Sequence, residues 1–161
     1  MCKIRIIEPE EKYTELHQVE KLFVQMYEHM KDAGLKTPLI EGGEKLWRKS
    51  LEKTIGRFGK LILAVKDRDV VGFAHGIIKL SPDYLGGEKT GLITHLYVSP
   101  EERNTGVGFK MVNVLEKWFD DQNVRICELS VLSMNDMAIS FWKDLGFMEE
   151  QIQMFKAIHK S

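Results

Sequence analysis

The sequence predicts a mixed α/β fold in one domain, around a central sheet that is partly antiparallel and partly parallel. One observation is size: 161 residues with 43% hydrophobic content suffice for one sizeable core and are few for two. The other is the order of apolar spacings, which reads β, α, α, β, β, β, α, β, α, β along the chain. This order mixes hairpins with helical crossovers, so both kinds of strand pairing are expected. We expect a single domain over residues 1–161, with six to seven strands and about four helices.

The first half of the chain predicts a strand, two helices and a hairpin. Residues 3–7 have strand-like composition, and from about 11 to 31 apolar residues recur every three or four positions, which predicts an amphipathic helix ending before Gly34. A shorter helix is expected over about 42–55. The run "KLILAVKDRDVVGFAHGIIK" over 60–79 predicts two strands joined at its Asp-Arg-Asp turn.

The second half returns to alternating strands and helices. A loop rich in turn residues at 80–90 leads into the apolar strand "GLITHLYVS", and helical spacing follows over 107–119. The run "VRICELSVL" predicts a fifth strand. A last helix is expected to begin at Asn135 or Asp136 and to end at Gly146, and residues 147–158 are expected to close the chain as one or two strands.

The composition argues against several kinds of partner. Twenty-three basic and 24 acidic residues form no long run of one sign, so no field for nucleic acid or an anionic membrane is evident. No apolar stretch reaches about 18 residues. Cys2, Cys127 and five scattered histidines fit neither a disulfide framework nor a metal site. We therefore expect a cytoplasmic protein without a metal, whose partner is a small molecule or a peptide.

The segment "RNTGVG" over 103–108 lies between a predicted strand and a predicted helix. The first backbone N–H groups of a helix have no partner within it, and the helix dipole adds positive charge there, so phosphate binds well at such a turn. Glycines at 106 and 108 would let a diphosphate approach the backbone, and Arg103 adds a full charge. Taken alone, the pattern is equally typical of an ordinary strand-to-helix turn.

Two spaced motifs together resemble a known family. "RNTGVG", following "LYVSPEE", is similar to the Arg/Gln-x-x-Gly-x-Gly/Ala turn of the GCN5-related N-acetyltransferases, the GNAT family. About 27 residues after Gly108, "NDMAISFWKDLGF" resembles that family's second signature, Asn-x-x-Ala-x-x-Phe/Leu-Tyr-x-x-x-Gly-Phe. The resemblance implies a GNAT-like fold in which the fourth and fifth strands splay apart, and it implies acetyl-CoA or coenzyme A as the cofactor.

The resemblance also implies which residues bind that cofactor. The diphosphate would lie on the turn from Arg103 to Gly108, the pantetheine arm would pair with the exposed backbone of the fourth strand, and two side chains of the last helix would face the cofactor. Trp142 stands where the family usually has tyrosine; since indole N–H is no acid at neutral pH, we expect it to pack against the cofactor. The residues implied are Leu96, Tyr97, Val98, Arg103, Asn104, Thr105, Gly106, Val107, Gly108, Asn135 and Trp142.

The catalytic residues are less determined. Family members often carry a carboxylate or histidine on the fourth strand, where this chain has Thr94 and His95. Strand alternation places these two side chains on opposite faces, so a water relayed by Thr94 and direct catalysis by His95 both remain open as the base. Ser130 on the fifth strand and His75 on the third are further candidates.

The resulting hypothesis is an N-acetyltransferase that moves the acetyl group from acetyl-CoA to a primary amine of a small molecule in a ternary complex. Tyr84 and Asp83, in the loop before the fourth strand, are candidate substrate contacts. A peptide or protein amine is an alternative acceptor, and a non-catalytic acyl-CoA sensor is an alternative role. A homodimer that pairs through sheet edges is a further expectation.

Overall fold

A computed structural model describes residues 4–8 and 16–159 of the chain. Within these ranges it contains five strands and four α-helices, which confirms the mixed α/β architecture and the number of helices. Part of the first strand and of the first helix, at residues 3 and 11–15, and Cys2 lie outside the described residues. The strands are β1 (Ile4–Ile7), β2 (Gly59–Lys66), β3 (Asp69–Leu80), β4 (Lys89–Val98) and β5 (Ile126–Glu128), and the helices are α1 (Leu16–Asp32), α2 (Gly43–Thr54), α3 (Val107–Asp121) and α4 (Asp136–Asp144).

The strands form one sheet in the order β1-β2-β3-β4-β5. The first four pair antiparallel, and β4 pairs parallel with β5, as the element order predicts. The parallel pairing covers only Thr90–Leu92 against Ile126–Glu128. From Ile93 onward, the edge of β4 that faces β5 therefore has no strand partner among the described residues.

The sheet has a separate hydrophobic core on each face. Alternation along β2 directs Leu61 and Leu63 to the core that α1 and α2 cover. It directs Ile62 and Ala64 to the core that α3 and α4 cover. Since β4 contributes side chains to both cores, the open part of its edge lies between two packed layers.

The expectation of six to seven strands is wrong for the described part of the chain. Residues 147–158 form no strand, and β5 ends at Glu128 rather than continuing to residue 132. A strand needs a neighbouring edge for its backbone hydrogen bonds, and the C-terminal segment lies along none. Its apolar side chains are exposed accordingly: Met148 by 91%, Ile152 by 88% and Met154 by 87%. The alternating pattern was present in the sequence, but the pairing it predicted is not.

Candidate active site

The turn before α3 has the geometry of an anion site. Gly106 caps the helix in the left-handed conformation (φ 83°), and Asn104 is also left-handed (φ 60°). Within the described residues, the backbone N–H groups of 104–108 donate no hydrogen bond to another protein group. A Cβ placed on Gly106 would meet no atom within 4 Å, so the space in front of these amides is open. The turn can therefore accept a phosphate group on several donors at once.

The second glycine of the turn serves packing instead. A Cβ on Gly108 would lie 3.3 Å from Cζ of Phe141, so glycine at this position allows α4 to approach the first turn of α3. Asn135 caps α4 by accepting a hydrogen bond from the backbone N–H of Ala138 at 3.1 Å, which leaves its amide N–H groups for other partners. Trp142 is only 9% exposed and packs between Phe141 and Phe147. Its predicted contact with a cofactor stays a prediction.

Arg103 is directed back toward the sheet. Its Nε donates to the carbonyl oxygen of Val98 at 3.0 Å, and its Nη2 lies 3.2 Å from Nδ1 of His29 on α1. The guanidinium stands over the Tyr97 ring, 5.5 Å from the centroid. These contacts keep the positive charge of Arg103 at the edge of the turn and connect α1 to the end of β4. Binding of the diphosphate by Arg103 stays a prediction.

The edge of β4 from Ile93 to Val98 offers backbone groups to the space on its β5 side, which is called the gap below. The N–H of Ser99 donates to the carbonyl of Val71 on β3 at 2.8 Å. Because successive residues of a strand direct their backbone groups to opposite sides, those of Tyr97 also face β3, whereas those of Leu96 and Val98 face the gap. The Val98 carbonyl already accepts a hydrogen bond from Arg103. The Leu96 N–H and C=O and the Val98 N–H therefore remain for a ligand.

A β-bulge brings three polar side chains together where the gap begins. His75 pairs with His95, but the next residue of β3, Gly76, pairs with Ile93, so Thr94 is the extra residue. Thr94 Oγ1 lies 2.6 Å from Nδ1 of His75 and 2.9 Å from Nδ1 of His95. The expectation that Thr94 and His95 lie on opposite faces is wrong, because a bulge interrupts the alternation.

Both histidines lie in an apolar environment. His75 is 5% exposed, and the His95 ring meets the rings of Phe23 and Trp47 at centroid distances of 5.4 and 5.7 Å. Burial, with the charge of His95 in addition, lowers the pKa of His75 to about 4, and burial lowers the pKa of His95 to about 4. Both imidazoles are therefore neutral near pH 7 and available as acceptors.

The lowered pKa of His75 predicts acid lability of the fold. Between about pH 4 and 6.5 the unfolded chain binds more protons than the folded one, so this contribution to stability is complete above pH 6.5 and is lost as the pH falls toward 4. From pH 6.5 to 5, His75 alone should lower the free energy of unfolding by about 1.5 kcal/mol. Urea denaturation at both pH values measures the loss in the free energy of unfolding, and the same loss is measured in His75→Gln for comparison. An equal loss in the variant would contradict the assignment.

Other predicted residues lie apart from this cluster. Ser130 is exposed and follows the end of β5, and Tyr84 is 86% exposed in a short 3-10 helix with Asp83 before β4. That helix precedes Lys89, whereas the gap opens toward Val98, ten strand residues or roughly 30 Å along. Substrate contacts at Tyr84 and Asp83 stay a prediction. The structure gives them no neighbour from the cluster at Thr94.

A pocket that the sequence did not reveal lies between α1 and the end of β4. Its volume is about 270 Å³, and its walls combine two carboxylates with an imidazole and a phenol. Tyr97 lies two residues from His95 on the same face of β4, which separates their Cα atoms by one strand repeat, or about 7 Å. No spacing motif joins its lining residues, which are Gln25, Glu28, His29, Tyr97, Pro100 and Glu101.

Other chemistries find little support among the described residues. Burial raises the pKa of the Cys127 thiol to about 12, helped by Glu116 and Glu128, so the thiol stays protonated and is a poor nucleophile. No group of three or more metal-ligating side chains is found in residues 4–8 and 16–159. In the same ranges, no helix has the length and apolar character needed to cross a bilayer.

Comparison with known proteins agrees with this geometry. A family model described as the Acetyltransferase (GNAT) family matches residues 12–147. No curated protein matches the sequence. Among solved structures, the aminoglycoside N-acetyltransferase AAC(6')-Iy in complex with CoA is 16% identical, with 99% of this chain and 97% of that chain covered and a TM-score of 0.77.

Two further structures show the same likeness. An aminoglycoside acetyltransferase from an uncultured soil metagenomic sample, in complex with trehalose, is 18% identical over 98% of this chain and 97% of that chain, with a TM-score of 0.73. The BH1408 protein from Bacillus halodurans, solved as a tetramutant, is 20% identical, with 96% of this chain and 99% of that chain covered and a TM-score of 0.78. At such identities the likeness establishes the fold.

Proposed function

The chain belongs to the GNAT acetyltransferase family, and on that premise we propose that it transfers an acetyl group from acetyl-CoA to a primary amine of a small molecule. The observation that carries the proposal is the combination of a β4 edge and of amides at the start of α3 that both lack a partner among the described residues. One edge and one helix N-terminus, meeting at a single gap, match an extended ligand that ends in a diphosphate.

The chain's own residues fit coenzyme A in two parts. The amides of Asn104 to Gly108 hold the diphosphate, in the open space that Gly106 leaves. The carbonyl of Leu96 and the N–H of Val98 would pair with the amide groups of the pantetheine arm. The Asn135 amide, which caps α4, would face the cofactor. The cofactor supplies the acetyl group as a thioester.

The polar cluster beside the gap supplies the acid-base chemistry. His95, neutral near pH 7, would take the proton that the amine loses as the new C–N bond forms, while the C–S bond breaks and the sulfur leaves as the thiolate of coenzyme A. The Leu96 N–H is the backbone donor available to the developing oxyanion. The protonated Cys127 argues against an acyl-cysteine intermediate, so attack is direct, in a ternary complex. Thr94 lies between the histidines and acts through them.

The acceptor site is proposed in the pocket between α1 and the end of β4. Glu28 and Glu101 line it, and their two charges exceed the single charge of the Arg103 guanidinium against His29, so the pocket attracts a cationic group. His95, two residues before Tyr97 on β4, would meet the reacting amine. A small amine with more than one positive charge suits this arrangement, since one amine reacts while another is held by the carboxylates. Two of the similar structures are named as aminoglycoside acetyltransferases, and aminoglycosides carry several amines.

Removing a pocket carboxylate should weaken acceptor binding selectively. Glu28→Gln is expected to raise the KM for a dicationic amine about fivefold, because a solvent-exposed ion pair contributes up to about 1 kcal/mol. The kcat and the KM for acetyl-CoA should stay unchanged. Glu88→Gln is the matched control, since Glu88 is an exposed carboxylate before the opposite end of β4. An equal KM change in both variants would exclude the pocket as the acceptor site.

Calorimetry and a thiol-release assay test the function itself. Titration with acetyl-CoA and CoA should show binding, and free thiol should appear with at least one member of a panel of polyamines, aminoglycosides and amino-acid-like amines. Release with peptide amines alone would replace the small-molecule acceptor by a peptide. Binding without release for any amine would favour an acyl-CoA sensor, and absence of binding would contradict every cofactor-dependent role.

We also propose that the chain forms a homodimer. The apolar side chains of the segment 148–158 are exposed, as is Ile126 on the edge strand β5. A second copy would cover the segment and the edge together, because each copy carries both. Light scattering measures the mass in solution, and a monomer at micromolar concentration would contradict the proposal.

A further inference from the structure

We propose that Thr94 and His75 are positioning residues, which hold His95 in the tautomer with its proton on Nδ1 and leave Nε2 as the proton acceptor. They are the middle of a series of hydrogen bonds that begins at Thr54, the last residue of α2, and runs along one face of the sheet to His95. The inference deepens the proposed function, because it explains which nitrogen of His95 can serve as the base.

The series of hydrogen bonds runs through four side chains in succession. Thr54 Oγ1 donates to the Leu51 carbonyl at 2.9 Å and lies 3.2 Å from Nε2 of His75. Nδ1 of the same ring lies 2.6 Å from Thr94 Oγ1, which lies 2.9 Å from Nδ1 of His95. Both ring nitrogens of His75 are therefore engaged, while only one ring nitrogen of His95 is.

The number of available protons restricts which group donates in each contact. Each hydroxyl carries one proton, and each neutral imidazole carries one N–H. If the Thr54 proton goes to Leu51 and Nε2 of His75 donates to Thr54, Nδ1 of His75 must accept. The Thr94 proton then goes to Nδ1 of His75 at 2.6 Å rather than to the His75 carbonyl at 3.1 Å, and Thr94 accepts the Nδ1–H of His95. Nε2 of His95 is left without a proton.

The opposite direction leaves the same tautomer of His95. If Thr54 donates to His75 instead, the Leu51 carbonyl loses its hydroxyl partner, and the Nδ1–H of His75 points at Thr94. The Thr94 proton then goes to the His75 carbonyl at 3.1 Å, and Thr94 again accepts the Nδ1–H of His95. Each direction satisfies four of the five contacts, whereas a proton on Nε2 of His95 requires Thr94 to donate to His95 and satisfies three.

Neutral rings are a condition of this argument, and the surroundings provide it. His75 is 5% exposed and lies 6.4 Å from His95 between ring centroids, so a second positive charge there would be opposed by the first and by desolvation. Phe23 and Trp47 hold the His95 ring by edge contacts. Packing fixes the position of the ring, and the hydrogen-bond chain selects the nitrogen that bears the proton.

Nitrogen NMR of the histidine-labelled full chain, without any ligand, reads the tautomers directly. We expect His95 protonated on Nδ1 near pH 7, with signals assigned from His95→Gln and His75→Gln spectra. A proton on Nε2 of His95 would overturn the proposal. The spectrum does not depend on turnover: if the tautomers are as expected but His95→Ala retains full activity, the assignment of the base fails and the positioning stands.

Thr94→Val tests whether the hydroxyl between the two rings matters. Valine keeps the shape and removes the oxygen that accepts the Nδ1–H of His95, which raises the share of the Nε2–H tautomer. If the productive tautomer falls to a minor form, kcat should fall about tenfold with the KM for acetyl-CoA unchanged. Thr94→Ser, which keeps the hydroxyl, should keep both the spectrum and kcat. Wild-type tautomers in Thr94→Val would overturn the role of Thr94.

Discussion

Replacing Gly106 by glutamate should lower the affinity for CoA at least a hundredfold, or about 3 kcal/mol. Gly106 adopts φ 83° and ψ 5° at the N-terminal cap of α3, beside amides that have no protein partner among the described residues. A glutamate there places a side chain in the open space before those amides and brings a negative charge to the place of the diphosphate. Titration calorimetry with CoA measures the loss.

The control for this substitution is supplied by the chain itself. Gly42 caps α2 with φ 73° and ψ 5°, and a Cβ there would also meet no atom within 4 Å. Gly42→Glu therefore carries the same backbone strain, on the order of 1–2 kcal/mol for a side chain in this region, at a helix with no proposed ligand. Equal stability of the two variants with CoA affinity lost only in Gly106→Glu is the expected result. Retained affinity in Gly106→Glu would refute the phosphate site.

The turn at Gly106 was predictable because its chemistry is local. A strand, two glycines and a helix within a short segment define the free amides wherever the rest of the chain lies. Gly108 shows the limit of this reasoning, because its missing side chain makes room for Phe141, 33 residues further on. The sequence predicted glycine at a close approach, and only the fold shows which group approaches.

The catalytic cluster was only partly predictable, since it depends on a bulge and on distant residues. Alternation placed Thr94 away from His95, and one extra residue in β4 reverses that. Thr54 gave no signal, because a threonine at the end of a helix commonly bonds its own backbone, as this one does with Leu51. Its second contact, with His75, arises from the packing of α2 on the sheet.

The substitution of alanine for His95 should lower kcat/KM by two to four orders of magnitude, the usual contribution of a general base. CoA affinity should stay unchanged, because the backbone of β4 and the α3 turn hold the cofactor. His17→Ala is the matched control: it removes an exposed histidine on α1 that contacts Arg48. A loss below threefold would leave His95 a purely structural role.

A cavity beside Phe23 and Trp47 is an alternative cause of lost activity in His95→Ala, and His95→Phe separates the two causes. Phenylalanine keeps a ring against both neighbours and removes the nitrogen acceptor, so it should be as inactive as alanine if base catalysis is lost. Addition of imidazole should restore activity to His95→Ala, where a ring fits, and not to His95→Phe. Full activity in His95→Phe would show that the ring matters only for packing.

The pH dependence of the wild-type protein distinguishes this histidine from one in water. Because burial lowers the pKa of His95 to about 4, the base is already unprotonated at pH 5, and its protonation reduces kcat/KM only as the pH falls toward 4. An acceptor amine whose own pKa lies below about 4 stays neutral over this range, so its protonation does not contribute to the profile. With such an acceptor, kcat/KM should stay level from pH 7 to 5. A decline centred near pH 6.5 would mean that the catalytic base is a solvated imidazole, and therefore not His95 in this cluster.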